Sequence, residues 1–206
     1  MERVRIDSLE ATTLPAATRR NLAAALEATD VALQHYQIPP GGSLPGGLHA
    51  HADQAELFVV LEGTATFETI DGVVSVEAGE AIRFGPGTFQ SGLNEDDRPL
   101  TLLALGAPPN STDVRLPTAC PDCGFEPIRL ETDEGARFSC PDCAAVFRPE
   151  PCPSCDHPVL EFTLEGVSPD VHPVVECGGC GVTYERPPLT PRRASRQSKG
   201  SADDDA

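Results

Sequence analysis

The sequence predicts a mainly β chain: a barrel or sandwich over the first half, followed by two small cysteine-rich modules. Three observations carry this reading. Short apolar runs alternate with Gly- and Pro-rich turns between Val31 and Leu105. All eight cysteines fall between residues 118 and 187, and they occur as four Cys-x-x-Cys pairs.

Each β element follows from its own residues. The expected strands are Val31–Ile38, Glu56–Glu62, Ala65–Ile70, Val73–Val76, Ala81–Phe84 and Leu100–Leu105. They are bounded by Pro39-Pro40-Gly41-Gly42, Asp71-Gly72, Ala78-Gly79 and Gly85-Pro86-Gly87, where Gly and Pro supply the dihedrals that a turn needs. Many short strands at such spacing predict a closed or double-sheet β structure. Ahead of them, Ala16 to Glu27 places Leu22, Leu26 and several alanines on one face and predicts a short helix covering an edge or end of the barrel. The expected division is residues 1–29 as an N-terminal cover, 30–117 as the barrel, 118–148 and 149–187 as the two modules, and 188–206 as a disordered tail.

Composition excludes several classes. The chain of 206 residues is 39% apolar, enough for a core, and no run approaches the roughly 20 apolar residues of a membrane-crossing helix. Polar and charged residues interrupt the N-terminal region before a signal-peptide core forms, so the expected location is cytoplasmic. The net charge of −17 comes with a single lysine, Lys199, among 15 basic residues. Acidity with so little lysine resembles the surface of proteins from halophiles, cells that hold molar salt. Residues 1–117 and 118–187 each carry a net −9, whereas residues 188–206 carry +1. Nucleic acid is therefore an unfavoured partner.

The chemistry of the barrel starts at His49 and His51, two apart and so on one face of an extended chain. Glu56 follows at the start of an apolar strand. Two imidazoles and one carboxylate form a set that holds a divalent transition metal and leaves positions open for a ligand. Strand parity adds pocket candidates: Phe58 and Val60 share the face of Glu56, Asn94 shares that of Gln90, and His35 lies on a face with Leu33 and Gln37.

His49-Ala-His51, Glu56 and Gly63 resemble the first signature of the cupin superfamily. Gly79, Gly85-Pro86-Gly87, Gln90 and Asn94 resemble the second, with fifteen residues between Gly63 and Gly79. The short spacing resembles that of small single-domain microbial cupins. The resemblance spans about residues 30 to 106 and implies a double-stranded β-helix, or jelly roll. It also implies a metal held by His49, His51, Glu56 and a fourth side chain, a small organic ligand or substrate, and a homodimer. The chain departs from the pattern at Ser43, where a glycine is usual, at Gly85, where a proline is usual, and at Gln90, where the second signature has a histidine. The Gln90 amide has two readings: its oxygen ligates the metal, or its nitrogen hydrogen-bonds a bound water or substrate.

The cysteine pairs are Cys120/Cys123, Cys140/Cys143, Cys152/Cys155 and Cys177/Cys180, each in a turn rich in Pro, Gly or Asp. The first two pairs are separated by 16 residues and the last two by 21, while only eight lie between the second and third, so the pairing of knuckles stays open. The pattern looks like two successive zinc ribbons, with a zinc ion in each closed set of four thiolates. His157 and His172 are spare ligands. The expected hairpins run from Pro127 to Ser139 and from Val159 to Glu176 around these knuckles. Closed sites are structural, and a strongly anionic module favours a protein partner over nucleic acid.

Two functions stay open at this level. One is a metal-dependent enzyme of oxygenase or isomerase type. The other is a non-catalytic metabolite sensor whose ribbons contact a protein.

Overall fold

In the computed structural model, which describes residues 1–133, 135–166 and 170–191, the apolar-polar alternation of the first half folds into two facing antiparallel sheets. In chain order the strands are β1 (Thr12–Thr13), β2 (Thr18–Asn21), β3 (Ala32–Ile38), β4 (Ala50–His51), β5 (Ala55–Glu62), β6 (Thr64–Thr69), β7 (Gly72–Glu77), β8 (Ala81–Phe84), β9 (Ser91–Leu93) and β10 (Leu100–Ala107). One sheet has the order β1-β2-β3-β10-β5-β8 and the other β7-β6-β9. Their inner faces bury Tyr36, Ile38, Phe58, Val60, Phe67, Phe84, Leu100 and Leu102 in one core. This is the alternation of a jelly roll, in which every second residue leaves water. Among the described residues no helix is long and apolar enough to cross a membrane.

The N-terminal segment differs from the expected helix over Ala16–Glu27. Thr18–Asn21 is a strand, paired with β3 through Arg19↔Tyr36 and Arg20↔His35. Only Leu22–Ala25 is helical, a short helix α1. The unpaired edge of β3 offers hydrogen-bond partners that a lone helix lacks, and β-branched Thr18 favours the extended form. Helix formation is delayed to Asn21, whose side-chain oxygen accepts from the Ala24 amide at 3.0 Å.

The cysteine-rich half continues the barrel instead of hanging from it. Its strands are β11 (Val114–Leu116), β12 (Ile128–Glu131), β13 (Arg137–Ser139), β14 (Val146–Pro149), β15 (Leu160–Glu165), β16 (His172–Cys177), β17 (Thr183–Tyr184) and β18 (Leu189–Pro191). One sheet has the order β18-β14-β13-β12-β11-β4, so the strand bearing His51 is the edge of the first module's sheet. The other has the order β15-β16-β17. A second core combines Leu48 from the barrel with Leu116, Ile128, Phe138 and Phe147 of the first module and Phe162 and Val175 of the second. Leu189–Pro191, expected within a disordered tail, instead pairs with β14, where Leu189 packs on this second core. The rest of that expected tail, residues 192–206, lies outside the described residues.

Candidate metal centres

Strand parity aims Glu56 and Phe58 inward from β5, and β4 carries His51 to the same wall. His49 joins through a backbone bridge to Gln90, whose N–H donates to the His49 carbonyl at 2.9 Å. The resulting cavity, of about 250 Å³, is lined by Tyr36, His49, His51, Glu56, Phe58 and Gln90 together with Leu44, Pro45, Gly47, Ser91, Gly92 and Ala104.

His49 Nε2 and His51 Nε2 lie 3.2 Å apart, and His51 Nε2 lies 3.6 Å from Glu56 Oε1. Two nitrogens at about 2.0–2.1 Å from one ion are separated by about 2.8–3.4 Å across octahedral to tetrahedral angles. The observed spacing fits a shared ion. His49 Nδ1 donates to the Gly47 carbonyl at 2.8 Å, which fixes the tautomer that leaves the Nε2 lone pair toward the site. Burial pushes His51 below its ordinary value; Glu56 and Asp53 oppose this, and His49 adds to it. The imidazole is thereby biased to the neutral form that binds metal.

Gln90 is buried beside this set. Its amide nitrogen donates to Glu56 Oε2 at 2.8 Å, and its amide oxygen has no hydrogen-bond partner among the described residues. An unpaired buried acceptor on a residue that lines the same cavity as two imidazoles and a carboxylate is a further sign that the site fits a cation.

Three sequence-based pocket candidates do not line the cavity. His35 occupies the opposite face of β3, where burial and the nearby Arg20 hold its pKa below the ordinary value. Adjacent strand residues point oppositely, and the larger apolar pair Tyr36 and Ile38 takes the core side. Val60 does face inward, but it packs in the core with Phe58 and Phe67 instead of lining the cavity. Asn94 is a structural staple: its amide donates to the Ile38 and Arg98 carbonyls at 2.9 Å each and its oxygen accepts from the Asp96 amide. Tyr36 is the main cavity residue that the sequence reading missed. Its signal was the apolar parity it shares with Ile38.

The eight cysteines form two groups, Cys120/Cys123 with Cys140/Cys143 and Cys152/Cys155 with Cys177/Cys180, so the knuckles pair in chain order. Cross-knuckle Sγ separations are 3.7 and 3.5 Å in the first group and 3.8 and 3.6 Å in the second. Four thiolates at about 2.3 Å around a tetrahedral ion stand about 3.8 Å apart, so both groups fit one ion each. His157 and His172 belong to neither set. All four knuckles share one backbone design. The N–H of the first cysteine donates to the carbonyl five residues on, and its own carbonyl accepts from the N–H four residues on. That fourth residue has positive φ in every case: Gly124, Ala144, Asp156 and Gly181. In the second group the Tyr184 hydroxyl lies 3.2 Å from Cys152 Sγ and pulls the Cys152 thiol down to about 6, helped by backbone N–H groups against the opposing effect of burial.

The fold and site define a jelly-roll protein with a two-histidine, one-carboxylate cluster in the barrel and two four-cysteine clusters in the modules that continue it. Residues 34–106 match the cupin domain family. The polyketide cyclase RemF from Streptomyces resistomycificus is 24% identical with a TM-score of 0.50, over 59% of this chain and 89% of that one, which shows the shared fold. A sugar phosphate isomerase of the cupin superfamily from Silicibacter pomeroyi is similar over 70% of this chain and 85% of its own, at 18% identity and a TM-score of 0.47. A search of curated proteins gave no match.

Proposed function

We propose that this protein is a metal-dependent cupin enzyme, of oxygenase or isomerase type, acting on a small organic molecule in the barrel, with one structural zinc ion in each four-cysteine module. One observation carries the reading: His49, His51 and Glu56 present ligand atoms within 4.8 Å of one another on the wall of a cavity that also holds Tyr36 and Phe58. A divalent transition metal held there would supply Lewis-acid polarisation and, for a redox-active ion, one-electron chemistry.

The chain's own groups divide the remaining work. His49, His51 and Glu56 hold the ion, and Gln90 orients the Glu56 carboxylate. Phe58 and Ala104 give the cavity an apolar wall that excludes water from a bound molecule. Burial raises the Tyr36 pKa, a shift that the neighbouring Arg19 opposes, so its hydroxyl stays protonated and available as a donor to an oxygen of the ligand. The closed cysteine sets leave no open position and so suit a structural ion. Metal loading of these sites contributes to folding of the modules.

Metal-reconstituted protein assayed against small hydroxylated, keto and carboxylate compounds tests the reading. Turnover that requires the metal and disappears in His49→Ala/His51→Ala supports an enzyme. Tight binding of a compound without turnover supports the sensor reading in its place.

A further inference from the structure

We propose that the second four-cysteine module positions the barrel centre: strand β15 clamps residues 46–48 and, through them, sets the His49 imidazole in its metal-binding orientation. The inference rests on reading His49, His51 and Glu56 as a metal centre and extends it to residues outside the barrel.

The contact is made by backbone. The Leu48 N–H donates to the Phe162 carbonyl at 2.7 Å, and the Leu48 side chain is fully buried in the core shared with both modules. Gly47, at φ +59°, passes so close to β15 that a Cβ there would lie 2.7 Å from the Phe162 oxygen. The carbonyl of this same Gly47 accepts from His49 Nδ1. Gly46 also runs close against the ring, where a Cβ would stand 3.1 Å from both Cε1 and Nδ1 of His49. The path from β15 to the His49 ring therefore runs through two glycines and two hydrogen bonds.

Phe162 is in turn fixed by the cysteine cluster. It pairs with Val175 on β16, and Leu160 pairs with Cys177, the last residue of that strand and a member of the second cluster. His51 is anchored separately, by β4 pairing with β11 of the first module. Carbonyl partners of metal-binding histidines fix ring orientation and tautomer, and their loss costs about 10- to 100-fold in metal affinity. Gly47 and Leu48 thus serve as positioning residues, and the second module is the body that holds them.

The test uses the full chain with its cysteine sites loaded with zinc and titrates Mn²⁺ by electron paramagnetic resonance. Mn²⁺ prefers nitrogen and oxygen ligands to thiolates, so it reports the barrel centre. Gly47→Ala is compared with Gly41→Ala, a control at the similar φ of +72° but with open space around its Cβ. The expected result is Mn²⁺ affinity about 10- to 100-fold weaker for Gly47→Ala, with unchanged zinc content and near wild-type binding for Gly41→Ala. Equal Mn²⁺ affinity in the two variants overturns the proposal. If the wild type binds no metal in the barrel, the metal-centre reading fails, and hydrogen exchange of the Leu48 amide decides the clamp. Protection lost in Cys177→Ser/Cys180→Ser, with β5 and β10 still protected, supports it. Protection retained overturns it.

Discussion

The Gln90 amide nitrogen donates to the Glu56 carboxylate at 2.8 Å while the Gln90 amide oxygen stays buried and unpaired. At this position the second cupin signature has a histidine, and here an amide holds the Glu56 carboxylate in place. Gln90→Leu removes the donor that orients Glu56 and is expected to weaken Mn²⁺ binding at the barrel about 10-fold or more. Isothermal titration of the zinc-loaded protein measures this, and unchanged affinity would show that Glu56 needs no such support.

The knuckle corners make a prediction on stability. Ala144 has a φ of +58° where two of the other three knuckles place glycine, Gly124 and Gly181. A Cβ in the left-handed region is strained, so Ala144→Gly is expected to raise stability by about 0.5–1 kcal/mol, net of the extra freedom glycine gives the unfolded chain. Asp156→Gly, at the same φ, should gain less because aspartate tolerates this conformation better. Denaturant midpoints of the zinc-loaded variants check both.

Metal-free protein should lose stability as the pH falls below about 6.5. Burial is the largest cause holding the folded-state pKa values of both His35 and His51 below that ordinary value. The unfolded state then binds more protons than the folded state between the lowered values and 6.5, so stability rises with pH across that window. His35→Gln should flatten the dependence of the unfolding midpoint in chelator-treated protein, and an unaltered slope would remove His35 from the explanation.

Removing zinc is expected to weaken the barrel as well as the modules. Leu48 lies in a core completed by Leu116, Ile128, Phe138, Phe162 and Val175 of the modules, so unfolding the modules returns this barrel residue to water. Calorimetry after extraction of the cysteine-bound metal should show the barrel transition moved to lower temperature. A barrel transition that stays in place would mean that the shared core contributes little to it.

Much of the fold and part of the site were legible because they are written in local pattern. The spacing of His49, His51 and Glu56 survives any error in strand boundaries, and Cys-x-x-Cys turns carry their own geometry. Strand Ala81–Phe84 and the apolar face of Glu56 and Phe58 followed from alternation alone. What was not legible depends on partners distant in sequence. His35 and Tyr36 are neighbours whose roles are set by which face meets the opposite sheet. Thr18–Asn21 is extended because β3 leaves an edge, and Leu48 is buried because Phe162, far along the chain, returns to it.

The most direct test of the account is element-resolved metal content of the wild type and of His49→Ala/His51→Ala, each purified from metal-replete cells. Two zinc ions per chain in both proteins, one for each four-cysteine set, with a further divalent metal present in the wild type and missing from the variant, is the result predicted. A wild type carrying no metal beyond the cysteine sites, or a variant that keeps all of it, would contradict the claim that the barrel holds a metal centre.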